Sequence, residues 1–245
     1  MTTNYNQIAD IYKETKRSPL RAYVDEFTFF TVLGDARDKS VLDLACGYGH
    51  YSRLIKQRGA ERVIGVDVSE SLIKQARDTE QQQPLNIEYR VQDVASLGYI
   101  GNFDVVTAVY LFPYAATREI LGEMCRAIYN NLKPGGRLLA ATLNPNVTDE
   151  DLSIYVQYGV NLRAPGGLKD GTRITATLVI PGGSVELSAC YWGLESYENA
   201  LRQAGFKKIN WHPMEVSEAG LQKYGQEYWQ PYLTKPVDIV LECYK

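Results

Sequence analysis

Apolar residues in the first part of the chain fall into short runs separated by stretches with helical spacing. Residues 40–45, 62–67, 86–92 and 103–109 are strand-type runs, the last nearly continuous in apolar side chains. Such runs suit strands covered on both faces by helices. Between them, residues 49–58 and 70–77 resume a helical period, and Gln81-Gln82-Gln83 forms a polar loop. Residues 119–132 place Ile120, Leu121, Met124, Ile128 and Leu132 on one helical face. Lys133-Pro134-Gly135-Gly136 is expected to stop that helix, because proline cannot continue the ladder, and residues 137–143 then form a fifth strand. Strand and helix alternating over short links predict a parallel, doubly wound sheet with right-handed crossovers.

After Asn144-Pro145 the pattern changes. Residues 174–180 and 184–192 flank Pro181-Gly182-Gly183 and predict a β-hairpin. Residues 195–205 predict a helix with a glycine stop, and residues 206–211 a strand. The last strand, 237–244, follows another strand without a clear crossover and is therefore expected to run antiparallel. The expected architecture is one α/β domain over 1–245 with a seven-stranded, mostly parallel sheet. A helical cap at 1–38 and an inserted substrate lid at 145–193 complete it.

Composition narrows the partners. With 45% hydrophobic and 22% charged residues the chain is of ordinary globular type. Lys and Arg number 26 against 29 Asp and Glu, a net charge of −3, and the basic residues are scattered. A nucleic-acid enzyme draws most of its affinity from a basic face, so no nucleic acid is expected as partner. Cys46, Cys125, Cys190 and Cys243 lie far apart with no C-x-x-C pair, so no metal site is expected. The polar start lacks the order of a signal peptide, and no stretch reaches the roughly 20 apolar residues of a membrane span. A cytoplasmic protein with no membrane partner is expected, as monomer or homodimer.

The chemistry sits where the first strand meets its helix. Asp43-Leu44-Ala45-Cys46-Gly47-Tyr48-Gly49 puts two glycines at the turn, where the backbone can bend sharply and a ligand can approach closely. The helix N-terminus beyond it offers free amides. Asp67 ends the second strand 20 residues after Gly47, where a carboxylate can accept both hydroxyls of a ribose. A dinucleotide site prefers Gly or Ala at the third small position, and here that position is Ser52.

These residues, followed by V-I-G-V-D-V-S, Q-D-V at 92–94, F-D-V-V-T-A at 103–108 and L-K-P-G-G at 132–136, resemble the class I S-adenosylmethionine-dependent methyltransferases of Rossmann-like fold. The resemblance covers residues 5–144. It implies S-adenosylmethionine as cofactor and a role for each matching residue. Ala45, Cys46, Gly47 and Gly49 would line the methionine half, and Asp43 would orient that loop and reach the amino group. Asp67 would bind the ribose and Val68 would pack on the adenine. Gln92 belongs to the same segment as Asp93 and Val94, which would recognise the adenine edge. Val109 and Tyr110 would face the sulfonium, and Tyr12 in the opening helix would close over the cofactor. Helix capping or turn formation is the alternative for Asp43 and Asp93, and simple packing the alternative for Tyr12.

A general base is harder to place. His50, just after the glycine turn, is one candidate; its ring also suits surface packing, and His212 is a weaker one. Tyr110 and Tyr114 leave the fourth strand at the end where open sheets bind ligands. Leu111-Phe112-Pro113-Tyr114 lacks the leading Asn or Asp of the N-P-P-Y motif of amino-methyltransferases. Eighteen tyrosines are many for this length. Tyr155, Tyr158 and Trp192 cluster around the lid, with Tyr191 beside them. With Tyr110 and Tyr114, they suit walls for a flat, partly polar small-molecule acceptor. The pattern is similar to small-molecule methyltransferases of secondary metabolism, including those of toxoflavin-pathway type. The expected reaction is methyl transfer to an oxygen or nitrogen of an aromatic or heterocyclic molecule. RNA or protein methylation, or cofactor binding without catalysis, are the alternatives.

Overall fold

A computed structural model of the chain describes residues 18–180 and 183–245. Its centre is a seven-stranded sheet in the order β3-β2-β1-β4-β5-β10-β9. The strands are β1 (Ser40–Leu44), β2 (Arg62–Asp67), β3 (Ile87–Val91), β4 (Phe103–Val109), β5 (Leu132–Leu143), β9 (Lys208–His212) and β10 (Asp238–Tyr244). The first five pair in parallel, and β10 runs antiparallel to both neighbours. The apolar runs are continuous because both faces are covered. Val41, Leu139 and Val240 belong to the core on one face, while Leu42, Leu138 and Leu241 belong to the core on the other. Helices α1 (Glu26–Leu33), α2 (His50–Gln57) and α3 (Glu70–Gln82) cover the first face. Helices α4 (Arg118–Asn130) and α5 (Leu194–Ala204) cover the second.

The structure departs from expectation in four places. Helix α3 runs through Gln81 and Gln82, which are good helix formers, so the expected polar loop begins only at Gln83. Helix α4 ends at Asn130, and Leu132 to Gly136 belong to β5 instead of stopping a helix. The register with β4 shifts between Phe103 and Val105. Gly136 sits against the carbonyls of Phe103 and Asp104, an approach that a side chain would obstruct. The expected hairpin is a three-stranded antiparallel sheet, β6 (Val160–Arg163), β7 (Arg173–Ile180) and β8 (Gly183–Cys190). β6 is only four residues long, too short for alternation to announce. Two helices, α6 (Glu218–Tyr224) and α7 (Gln226–Thr234), fill the link from β9 to β10. Gly225 separates them and Pro231 lies inside the second, both of which mask a helical pattern.

Ahead of α1 the backbone makes a π-helical turn, Arg21–Asp25. No helix of the described residues is long and apolar enough to cross a membrane.

At the lower rim Asp104 accepts from the Ser40 N–H at 2.8 Å, the Ser40 hydroxyl at 2.6 Å and Lys133 Nζ at 2.8 Å. Burial raises its carboxyl, but the Lys133 ammonium and the Ser40 donors outweigh that and hold it at about 2. A depressed carboxylate stabilises the fold fully above its unfolded value of 3.8 and loses that effect as pH falls through about 2. Asp104→Ala is expected to cost about 1–2 kcal/mol at neutral pH. Thermal melts should show the deficit shrinking in strong acid; a deficit independent of pH would show that the carboxylate charge is not what matters.

Candidate active site

The carboxyl ends of β1, β2, β3 and β4 open onto one cavity of about 350 Å³. Ala45 and Gly47 enter it from the turn after β1, Asp67 and Val68 from the end of β2. Gln92, Asp93 and Val94 enter from the end of β3, and Val109, Tyr110 and Tyr114 from the end of β4. Ten residues singled out in the sequence therefore share one wall. Leu72 on α3 and Ile120 and Met124 on α4 line it too. These last three look like core positions of amphipathic helices, and nothing in their spacing marks them as lining.

The turn is built to keep side chains out of the way. Ala45 has φ of 57°, Gly47 56° and Gly49 84°. Gly49 is packed beneath the turn: a Cβ there would collide with the Tyr89 hydroxyl. Cys46 is also beneath it, buried, with burial pushing its thiol well up. Asp43 does not reach the cavity. Its carboxylate is buried in β1 and accepts from the Ser52 hydroxyl at 2.5 Å and the Thr107 hydroxyl at 2.8 Å. Ser52, which spoiled the dinucleotide pattern, is thus the donor that α2 offers to β1.

Asp67 does face the cavity. Its oxygens accept the Gly47 N–H at 2.9 Å and the Ser69 N–H at 2.8 Å, so it also ties the β1 turn to the end of β2. Burial lifts its carboxyl above the usual range against those donors. Val68 remains exposed on the cavity wall. Asp93 accepts the Ala95 N–H at 2.9 Å and caps a short turn, while the Gln92 amide donates to the Leu97 carbonyl.

Tyr110 occupies an unusual place. Its φ is 60°, a left-handed value that a bulky side chain rarely adopts. With Tyr114 it lines a second cavity of about 70 Å³ as well as the first. The three-stranded sheet covers this second space with Leu162, Ile174, Leu178 and Leu187. Arg21, Asp25 and Asp238 also line it. The Tyr110 hydroxyl donates to Asp25 Oδ2 at 3.0 Å, and Arg21 lies over its ring at 4.1 Å. Burial pushes this phenol well above its usual value, with Arg21 opposing and Asp238 and Asp25 adding to the rise. It is held as a neutral donor, so the sequence candidate for base is better suited to orienting than to deprotonating.

Other candidates lie elsewhere. His50 packs edge-on against Tyr51 with Nε2 3.4 Å from Glu26, on neither cavity wall. His212, the weaker alternative, pairs with Glu242 at 3.2 Å. Tyr155 and Tyr158 belong to the main core; Tyr158 stacks on Trp229 and donates to the Tyr228 carbonyl at 2.6 Å. Trp192 is buried on the opposite core with its indole N–H on the Ala115 carbonyl at 3.0 Å. These three aromatics are corrected from acceptor walls to packing, because their polar tips already have partners or their rings fill the core. Tyr12 lies outside the described residues. Arg21, Asp25 and Asp238 were missed; the available signals were an i,i+4 ion pair and a charge heading an apolar strand.

Comparison with known proteins fits this geometry. A methyltransferase domain family matches residues 41–136. The ubiquinone biosynthesis O-methyltransferase of Coxiella burnetii is 33% identical over 180 residues, 73% of this chain and 70% of that protein. The chain belongs to the S-adenosylmethionine-dependent methyltransferases. The N-demethylindolmycin N-methyltransferase of Streptomyces griseus is 28% identical over 69% of this chain and 70% of its own. Among solved structures, a methyltransferase from Mesorhizobium loti superposes with a TM-score of 0.65 at 18% identity, covering 94% of this chain and 100% of that one. The CcbJ methyltransferase of Streptomyces caelestis gives 0.66 at 19%, over 99% and 97%. The cofactor of this methyltransferase is S-adenosylmethionine.

Gly49→Ala is expected to destabilise the methyltransferase by about 2 kcal/mol or more, from a Cβ on a left-handed backbone and the overlap with Tyr89. A thermal melt reads the effect; an unchanged Tm would mean that Tyr89 moves aside without cost.

Proposed function

We propose that the methyltransferase transfers a methyl group to an oxygen or nitrogen of a small, flat, aromatic or heterocyclic acceptor whose reacting end enters the smaller cavity. The observation that carries this is the shared wall: Tyr110 and Tyr114 separate the acceptor space from the cofactor space and touch both. Apolar side chains of the three-stranded sheet close that space from above, leaving room for the reacting end of a small molecule and not for a macromolecule. The names of the relatives attach to both O- and N-methylation.

The larger cavity fits S-adenosylmethionine by the chemistry of its walls. Exposed Val68 and buried Val94 offer apolar faces to the adenine, and Asp93 an acceptor for its amino group. Asp67, on the same wall, would accept the ribose hydroxyls. The backbone of Ala45 and Gly47 would hold the methionine half, with Asp43, Cys46 and Gly49 fixing that loop from below. Val109 and Tyr110 would face the sulfonium, whose methyl group is the electrophile that the bound cofactor supplies. The chain's part is then alignment and exclusion of water. Four free, buried cysteines and the mildly acidic balance are in keeping with a cytoplasmic enzyme.

Calorimetry should find micromolar affinity for S-adenosylmethionine and its demethylated product, about 8 kcal/mol. Asp67→Ala should weaken it about tenfold or more, because each charge-assisted hydrogen bond lost is worth about 1.5–3 kcal/mol. An unchanged Kd would place the ribose elsewhere. A panel of phenols and N–H heterocycles, read by release of S-adenosylhomocysteine, tests the acceptor class. Methyl transfer to RNA or protein alone would overturn it.

A further inference from the structure

The floor of the smaller cavity carries charge that the cofactor site does not use. Arg21 and Asp25 sit four residues apart on the π-helical turn, with Nη1 2.6 Å from Oδ2. Oδ1 of Asp25 has no hydrogen-bond partner among the described residues, although the side chain is almost wholly buried. Asp238, the first residue of β10, is buried on the same floor. Two carboxyl groups thus share one guanidinium in an apolar enclosure. Among the described residues, Arg21 is the one cation facing both carboxyls, and it lies in direct contact with Asp25. An ion pair present only to hold the fold would require neither the second carboxyl nor a buried carboxylate oxygen without a partner.

We propose that Asp238, set beside the Arg21–Asp25 pair, takes the proton of the acceptor's O–H or N–H as the methyl group arrives. This deepens the acceptor reading above and rests on it. In the balanced step, the acceptor's oxygen or nitrogen gains the bond to the methyl carbon and gives its proton to the Asp238 carboxylate. The carbon–sulfur bond breaks with its electron pair kept by sulfur, and the proton passes later to solvent.

The groups facing Asp238 are Arg21 and Asp25 from the π-helical turn, Tyr110 from the end of β4, Tyr155 from the 3-10 segment before β6, and Tyr232 from α7. Burial pushes the Asp238 carboxyl well up from the carboxylate range and the charge on Asp25 adds to this; Arg21, Tyr110 and Tyr232 oppose it. A carboxyl lifted toward the working pH exchanges protons more readily than an ordinary one. Burial instead locks the Tyr110 phenol in its neutral form. Asp25 is a positioning residue: it holds Arg21 and Tyr110 and sets the field in which Asp238 titrates.

The test has two arms. In the first, aspartate 13Cγ NMR on the methyltransferase saturated with S-adenosylhomocysteine should show one carboxyl titrating well above the ordinary range. That titration should vanish in Asp238→Asn and move to lower pH in Asp25→Asn, where the like charge is gone. In the second, turnover of the phenol and N–H heterocycle panel is followed against pH. Wild type should lose kcat as acid protonates Asp238. Asp238→Asn should lose about 100-fold or more in kcat while the calorimetric Kd for S-adenosylmethionine stays within about threefold. Asp238→Glu should recover part of the loss. Every aspartate titrating in the ordinary range, or Asp238→Asn keeping kcat within about threefold of wild type, overturns the proposal. If the cofactor binds and no acceptor of the panel reacts, the acceptor class fails, and the NMR titration alone decides the carboxyl.

Discussion

Asp43 belongs to β1, yet its carboxylate accepts from Ser52 on α2 and from Thr107 on β4. A buried carboxylate is costly unless it is fully bonded, and these two hydroxyls meet that cost from both sides. The consequence is geometric. The turn after β1 cannot shift without breaking a bond to the helix or to the neighbouring strand. Asp67 adds a second tie by accepting the Gly47 N–H, so the turn is held from below by one carboxylate and from the side by another. The left-handed residues at Ala45 and Gly47 are tolerated because this frame over-determines them.

The same logic operates at the end of β4. Tyr110 takes a left-handed backbone that is unfavourable for a bulky residue, and its N–H donates to the Ala141 carbonyl at 2.7 Å. That twist turns the ring away from continuing the strand and sets it between two spaces. The hydroxyl reaches Asp25 and the ring receives the Arg21 guanidinium. A side chain that strand geometry would have pointed into a core instead becomes a partition wall.

Much of this was legible in the chain. The β1–β5 runs, the glycine turn and Asp67 are local signals, since period and spacing act over a few residues. Ten of the residues named for cofactor or acceptor do meet at one cavity. What escaped was set by contacts between distant segments. Trp192, Tyr155 and Tyr158 look like binding aromatics in sequence, but Trp192 and Tyr158 turn toward the carbonyls that their polar tips find, and Tyr155 is held in the core by packing. Asp25 and Asp238, which share the floor of the smaller cavity, come from near opposite ends of the chain, and no window of sequence contains both. β6 and α6–α7 are short elements fixed by packing more than by propensity, so their patterns are faint.

The reversed direction of β10 has an effect on chemistry that follows from topology alone. In a wholly parallel sheet, only the residues where strands finish reach the ligand-binding rim, and each is followed by a loop. Because β10 runs against β5, its opening residue pairs with the closing residue of β5, Asp238 opposite Leu143. A strand that starts at the rim delivers a side chain whose onward backbone is already clamped in a ladder, with far less freedom than a loop residue has. Antiparallel insertion therefore lends an otherwise loop-built rim one rigidly mounted functional group.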